Sequence, residues 1–478
     1  MRYRGPVAQG LALALVLLLA LPLPAAASSL PSLGSATGGE LTATQEVQIG
    51  QRFLAQARQH FTFVHDPEVV EYVRLLGHRV AAHTDFQAYP FHFYVVQDSR
   101  LNAFAVPGGH IFVHSGLIER ADSVAELAGV LAHEVAHITQ RHMARQVAAS
   151  KQSQLSSLLL VAAGILAGMQ GQGEAATALL AGGSAYSQQE MLAYSRAHER
   201  EADRLGIQYL AAAGFDPEGL PAFLRQLQSW ASLQGQAPPP YLSTHPLTGE
   251  RIADASGRAS RLGGGGDDTP LGEATFHRIK ARLAAMTADS PAAAYQRFQQ
   301  RVADDPDDAA ARYGLALAAQ RSGRSEAAVA QMRRLVEAHP ETVAYRRTLA
   351  EIHLDSGQAG EAVAALEAAL QRRPGDPDLR ETLGEALLAR GQAERARELL
   401  LEVTRDHPER ASGHRALARV YSRLDRSIEA HRAEAEARWL AGQRTEALEQ
   451  LRLAKRLARD QGSPQLGQIE ARIQELKP

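Results

Sequence analysis

Residues 123–142 read SVAELAGVLAHEVAHITQRH. The segment lacks proline and is rich in Ala, Val, Leu and Gly, so it forms a helix apolar enough to be buried. Yet His133, Glu134 and His137 sit inside it. Burying an unpaired polar or charged group costs on the order of several kcal/mol, so something must compensate all three. Two histidines four apart share one helical face. They can bind one tetrahedral metal ion such as zinc. Glu134 is rotated about 100° from His133 and flanks that ion. There it can take a proton from an attacking water and return it to a leaving amine.

Such a pair needs a further ligand. A His six positions past His137, with Gly between, is one known solution, but Gln140 and Met143 stand at those positions. The ligand must come from elsewhere. In SRAHEREADRLGIQYL (195–210), Glu199, Ala202, Asp203 and Gly206 fall on one helical face, and the small residues allow close approach of a second helix. Glu199 is then the third ligand and Asp203 holds a ligand histidine by its other ring nitrogen. Glu201 lies on another face, as an alternative ligand or a solvated charge. The stretch LNAFAVPGGHIFVHSGLI (101–118) reads as strand, Pro-Gly-Gly turn and strand. An edge strand beside the metal pairs with an extended peptide, with Asn102, Ala103 and Phe104 as the contacts. His110 and His114 share one strand face and are read as structural or solvated, and His142 as exposed. In YLSTHPLTGER (241–251), His245 is either a fourth ligand, acting as a latch, or an ordinary loop histidine.

HEVAH, then E-x-E-A-D, the NAFA-x-PGG hairpin and the S-T-H-P-x-x-x-x-R loop together resemble the HtpX/CAAX-prenyl-endopeptidase superfamily of gluzincin metallopeptidases. The resemblance implies one Zn²⁺ per chain held by His133, His137 and Glu199, catalysis by Glu134, and Asp203 supporting a ligand. It also implies roles near the metal for His245 and Arg251. Membrane members of this superfamily carry long apolar spans. The internal apolar run here, 158–169, is well short of the roughly 20 residues a span needs, so at most a peripheral membrane contact is expected.

The 478 residues are 45% apolar, enough for two or three domains, with a formal charge of −2 and no cysteine. Disulfides and thiolate chemistry are excluded, and no strong field invites nucleic acid. Arg2 and Arg4, the apolar run LALALVLLLALPL (11–23) and Ala25-Ala26-Ala27 read as a cleaved signal peptide over 1–27 and hence a periplasmic protein. A linker over 28–43 leads to a metallopeptidase domain at 44–261. Residues 262–289 supply a Gly/Asp-rich linker and a bridging helix.

From 290 to 478 the chain repeats. Pro306, Pro340, Pro374 and Pro408 are evenly spaced, and Leu315, Leu349, Leu383 and Leu417 keep the same interval. Gly323, Gly357 and Gly391 share the period, with Asp425 where the next Gly is due, and Ala328, Ala362, Ala396 and Ala430 keep it throughout. The interval, about 34 residues, is that of tetratricopeptide repeats, helix pairs stacked into a solenoid. Gly442 and Ala447 repeat the Gly-to-Ala spacing half a period early, which marks a degenerate final unit and a capping helix ending near Leu476. The expected fold is an α+β zincin-type metallopeptidase domain followed by an all-α solenoid. The order of signal segment, peptidase and repeats resembles periplasmic members of the superfamily. It implies degradation of misfolded or stalled outer-membrane proteins, and contact with the outer-membrane assembly machinery through the repeats. The alternatives are a chaperone-like adaptor that rarely cuts and an envelope scaffold with a structural zinc.

Overall fold

The computed structural model describes residues 41–149, 185–233, 239–263 and 271–476. The expected signal segment 1–27, most of the expected linker after it and the apolar run 158–169 lie outside the described residues.

Helix α1 (Ala43–His60) starts with a capping box between Thr42 and Gln45, and α2 (Pro67–Ala81) with the Asp66 carboxylate accepting the Val69 N–H. Three strands follow, β1 (His92–Val96), β2 (Ala103–Val106) and β3 (His110–His114), in the spatial order β1-β3-β2. β1 runs parallel to β3, and β2 antiparallel to it. The turn between β2 and β3 needs left-handed backbone at Gly108 (φ 83°) and Gly109 (φ 87°). Strand alternation divides the sheet's side chains between two cores. Phe93, Val95, Ala103, Ile111 and Val113 join the main core. Tyr94, Val96, Phe104, Val106 and Phe112 pack with Phe53 and Ala57 of α1.

After the short α3 (Ser115–Arg120) comes α4 (Val124–Thr139), the helix with the two histidines. Ser123 accepts the Glu126 N–H at 3.2 Å and Glu126 accepts the Asp122 N–H at 2.7 Å, which fixes its start. Leu127, Ala128, Val130, Leu131, Ala132 and Val135 are fully buried, because α2, α6 (Ala185–Ala212) and α7 (Gly219–Leu233) all pack on α4. Gly129 makes the crossing with α7 possible: a Cβ there would lie 2.8 Å from Leu220 N. Short helices α5 (His142–Ala149) and α8 (Pro240–Thr244), then α9 (Gly249–Leu262), complete this unit.

Helix α10 (Glu273–Met286) leads through α11 (Pro291–Asp304) to the repeats. These are the pairs α12 (Ala309–Arg321) with α13 (Ser325–Ala338), α14 (Val343–Asp355) with α15 (Ala359–Arg372), α16 (Pro377–Ala389) with α17 (Ala393–Asp406), and α18 (Ala411–Arg423) with α19 (Ser427–Leu440). Helices α20 (Arg444–Asp460) and α21 (Leu466–Glu475) close the array, with Leu476 buried behind them. The repeats dock on the first unit through charge. Arg282 from α10 reaches Asp66 at 2.8 Å and Glu68 at 3.2 Å. Arg347 from α14 reaches Glu68 at 2.7 Å, and Arg278 pairs with it too.

Each helix pair turns on a left-handed residue: Gly323, Gly357 and Gly391, with φ from 73° to 83°. In the fourth pair Asp425 takes that conformation at φ 56°. A side chain there is tolerated at a cost of roughly 1–2 kcal/mol, less for Asp than for most residues. Asp425→Gly is therefore expected to stabilise the repeats by up to about 1 kcal/mol, and Asp425→Val to destabilise them, in a urea titration followed by circular dichroism. Equal midpoints for wild type, Asp425→Gly and Asp425→Val would refute the assignment of strain to this turn.

Candidate metal centre

α4 and α6 cross where Ala202 and Gly206 face His133. A Cβ at 206 would lie 3.1 Å from His133 N, so the small-residue face seen in the sequence sets the approach. The crossing brings Glu199 to His133 and His137, at 3.4 Å from each Nε2. The two ring Nε2 atoms are 3.0 Å apart. Asp203 faces the other nitrogen of His133, Nδ1, at 3.0 Å.

His245 arrives at the end of α8. Its Nδ1 lies 3.2 Å from both Glu199 oxygens and 3.4 Å from His133 Nε2, and its Nε2 is 3.5 Å from Glu134 Oε1. Tyr241, one turn earlier, stacks on the ring at 4.5 Å. Arg251 anchors this segment from α9. Two of its guanidinium nitrogens donate to Asp203, each at 2.8 Å, while Nη1 donates to the Pro246 carbonyl at 2.8 Å and pairs with Glu199 at 2.9 Å. One donor atom each from His133, His137, Glu199 and His245 lie within 4.8 Å of one another.

The electrostatics ask for a cation. Burial pushes the Glu199 carboxyl up, but His245, His137 and His133 outweigh it and hold it well below the usual range. Asp203 is likewise held down against burial, by His133 and Arg251. Burial opposes charge on His133, yet Asp203 and Glu199 raise that ring to about 10. His137, also desolvated, falls to about 4 despite Glu199. Two buried carboxylates thus stabilise one positive charge among adjacent rings, and a divalent ion answers the same demand. Three imidazoles and one carboxylate, without a thiolate, form a donor set suited to zinc. Glu134 differs: burial raises its pKa, against the pull of His245 and His133.

The edge strand lies beside Glu134, and the Ala105 backbone favours the charged form of that carboxyl against burial. His114 N donates to Asn102 O at 3.0 Å, which fixes the alternation of the antiparallel pair. The backbone groups of Asn102, Phe104 and Val106 therefore turn to β3, and those of Ala103 and Ala105 to the opposite edge. Of the three residues expected to contact a peptide, only Ala103 turns its backbone to that edge. Asn102 does not face the edge, and the Phe104 ring is stacked on Phe112 at 4.9 Å. α8 packs on this edge, and Tyr241 N–H bonds to Leu101 O at 3.4 Å.

Two further expectations change. His142 is buried, not exposed, and its Nδ1 meets His137 Nδ1 at 2.9 Å. Glu201 is not a free solvated charge: it pairs with His142 at 3.1 Å and Arg145 at 2.9 Å. His110 and His114 are buried in the sheet, and desolvation lowers them to about 3 and about 4.

Residues 67–259 match the model of Peptidase family M48. Over these residues the chain is similar to that family. Residues 315–377 and 353–420 match tetratricopeptide repeat models, so the two units expected from motif and period are both found. The M48 family is zinc-dependent, in keeping with the donor set. The chain is 38% identical over 243 residues to the beta-barrel assembly-enhancing protease of Escherichia coli (strain K12), covering 49% of this chain and 48% of that protein. A putative beta-barrel assembly-enhancing protease of Vibrio cholerae serotype O1 is 36% identical over 295 residues, 60% of this chain and 59% of that protein. The mitochondrial metalloendopeptidase OMA1 of Schizosaccharomyces pombe is 31% identical over 181 residues, 38% of this chain and 50% of that protein. The chain spans about half the length of the curated relatives it matches.

The Asp203–Arg251 pair gives a test of this first unit. Breaking a buried pair from one side leaves an uncompensated charge, so Arg251→Met should cost about 3–5 kcal/mol. Asp203→Asn with Arg251→Met should cost less than the sum of the singles, read by denaturant titration of chelator-treated protein. Additive losses would mean that the two side chains do not act as a pair.

Proposed function

We propose that this chain is a periplasmic zinc endopeptidase that degrades misfolded or stalled outer-membrane proteins and aids their assembly. The observation that carries the reading is a buried carboxylate, Glu134, set between a four-donor cluster and the edge of β2 that faces away from β3. His133, His137 and Glu199 are the ligands. Zinc held by them would supply Lewis acidity to a water and to the scissile carbonyl. An extended substrate adds to the edge through the main chain of Ala103 and Ala105. Glu134 accepts the proton of the attacking water and passes it to the leaving amine. Asp203 holds Nδ1 of His133, and Arg251 holds Asp203. Clients and an outer-membrane assembly partner are recruited by the solenoid, whose concave surface is the usual binding face of such repeats. The names of the relatives support the envelope setting.

His245 is a latch in this reading. Four protein donors make a closed site, and three leave a position for water. The segment that carries His245 also packs on the edge of β2. Its displacement would free the fourth position and the peptide-binding edge together. The closed four-donor set also favours a second reading, a chaperone-like adaptor that holds clients and rarely cuts.

Three variants test these roles. Glu199→Gln should lose most bound zinc, and retention of a full equivalent would remove Glu199 from the ligand set. Glu134→Gln should keep zinc yet lose casein cleavage by 10²–10⁴-fold, roughly the contribution of a general base; wild-type rates with full zinc would remove Glu134 from catalysis. His245→Ala should cleave casein faster than wild type. A zinc-replete His245→Ala protein that is slower than wild type would rule out the latch and assign His245 to substrate or oxyanion contact.

A further inference from the structure

The His137 ring has a second nitrogen, and several elements converge on it. Nε2 turns into the donor cluster. Nδ1 points away from it, to His142 Nδ1 at 2.9 Å. His142 is buried and stacked flat on His198, with centroids 4.2 Å apart and planes at 10°. Its Nε2 is 3.1 Å from Glu201 Oε2, and the same oxygen accepts from Arg145 Nη2 at 2.9 Å.

A continuous helix would not produce this contact. Five positions past His137, the side chain would project about 140° away around the axis. Instead α4 stops at Thr139, and Arg141 adopts φ 52°, left-handed backbone that a long side chain rarely takes. That turn swings His142 back onto His137. It is held from outside: Arg141 Nε donates to Glu46 Oε1 at 3.1 Å and its guanidinium bonds to the Leu41 carbonyl. Glu46 is itself buried, and its other oxygen accepts the Tyr89 hydroxyl at 2.6 Å.

The proton positions follow from the contacts. A ligating Nε2 carries no hydrogen, so His137 Nδ1 must carry one and donate it to His142 Nδ1. His142 then carries its hydrogen on Nε2 and donates it to Glu201. His133 is supported in the same way by a carboxylate, Asp203, braced by Arg251. We propose that His142 and Glu201, braced by Arg145, form a second carboxylate–histidine relay that orients His137 as a metal ligand. His142 and Glu201 are positioning residues, and their role rests on the reading of His137 as a ligand. Such outer partners fix the tautomer and ring orientation of the ligand and raise its basicity.

The test uses the full chain, zinc affinity by chelator competition, and the visible absorption of Co²⁺ bound in place of zinc. His142→Phe keeps a flat ring against His198 but removes the acceptor; zinc affinity should fall about 10–100-fold and the cobalt bands should shift. His142→Gln offers a carbonyl oxygen to the same N–H and should recover most of the loss. Glu201→Ala, at a partly exposed position, should weaken zinc in the same direction by a smaller factor. Wild-type affinity and cobalt bands in Glu201→Ala, or equal weakening in His142→Phe and His142→Gln, would overturn the relay. If His142→Phe does not fold, Glu201→Ala and His142→Gln decide. Failure of the underlying ligand reading is seen separately, as a wild-type chain that binds no zinc or a Glu199→Gln chain that binds it as tightly.

Discussion

Glu199 and Asp203 lie one turn apart on α6, both buried against α4. Two carboxylates in such a place demand positive charge, and the surrounding structure supplies it. Arg251 reaches both, and the rings of His133, His137 and His245 crowd the Glu199 oxygens. The demand sets the geometry of the whole centre. α6 must cross α4 closely, hence Ala202 and Gly206. α9 must bring Arg251 in, which fixes the loop that carries His245. Keeping so much polarity inside an apolar core is costly, and the ion pairs of Arg251 with Asp203 and Glu199 offset part of that cost.

The centre was legible in the sequence to the extent that it obeys helical periodicity. His133 and His137 share a face by spacing, and Glu199 and Asp203 share one with two small residues. The solenoid was legible for the same reason, since a period held in register by Pro, Leu, Gly and Ala survives any local irregularity. Even the exception at Asp425 fits, because Asp takes the left-handed turn that Gly takes elsewhere. Arg251 had no local signal and came into view through the resemblance of its loop.

What stayed hidden depends on breaks in periodicity and on contacts across the chain. His142 reads as exposed if α4 continues, and nothing local says that Arg141 will turn left-handed. The residues that hold that turn, Leu41, Glu46 and Tyr89, come from two distant segments. Glu201 reads as solvated because its partner is the misplaced His142. The backbone groups of Asn102 and Phe104 turn to β3 and those of Ala103 and Ala105 away from it because pairing register, not strand identity, decides their direction. The ion pairs of Arg278, Arg282 and Arg347 with Asp66 and Glu68 join the start of the first unit to the repeats, beyond the reach of any local pattern.

The central claim is that the buried carboxylate and the three rings hold one metal ion. Anomalous diffraction at the zinc edge, on crystals of the zinc-loaded full chain, tests it most directly. The account predicts one strong peak per chain, enclosed by His133, His137 and Glu199, with the His245 ring beside it. A zinc peak bound elsewhere, or none at this cluster in protein that contains an equivalent of zinc, would contradict it.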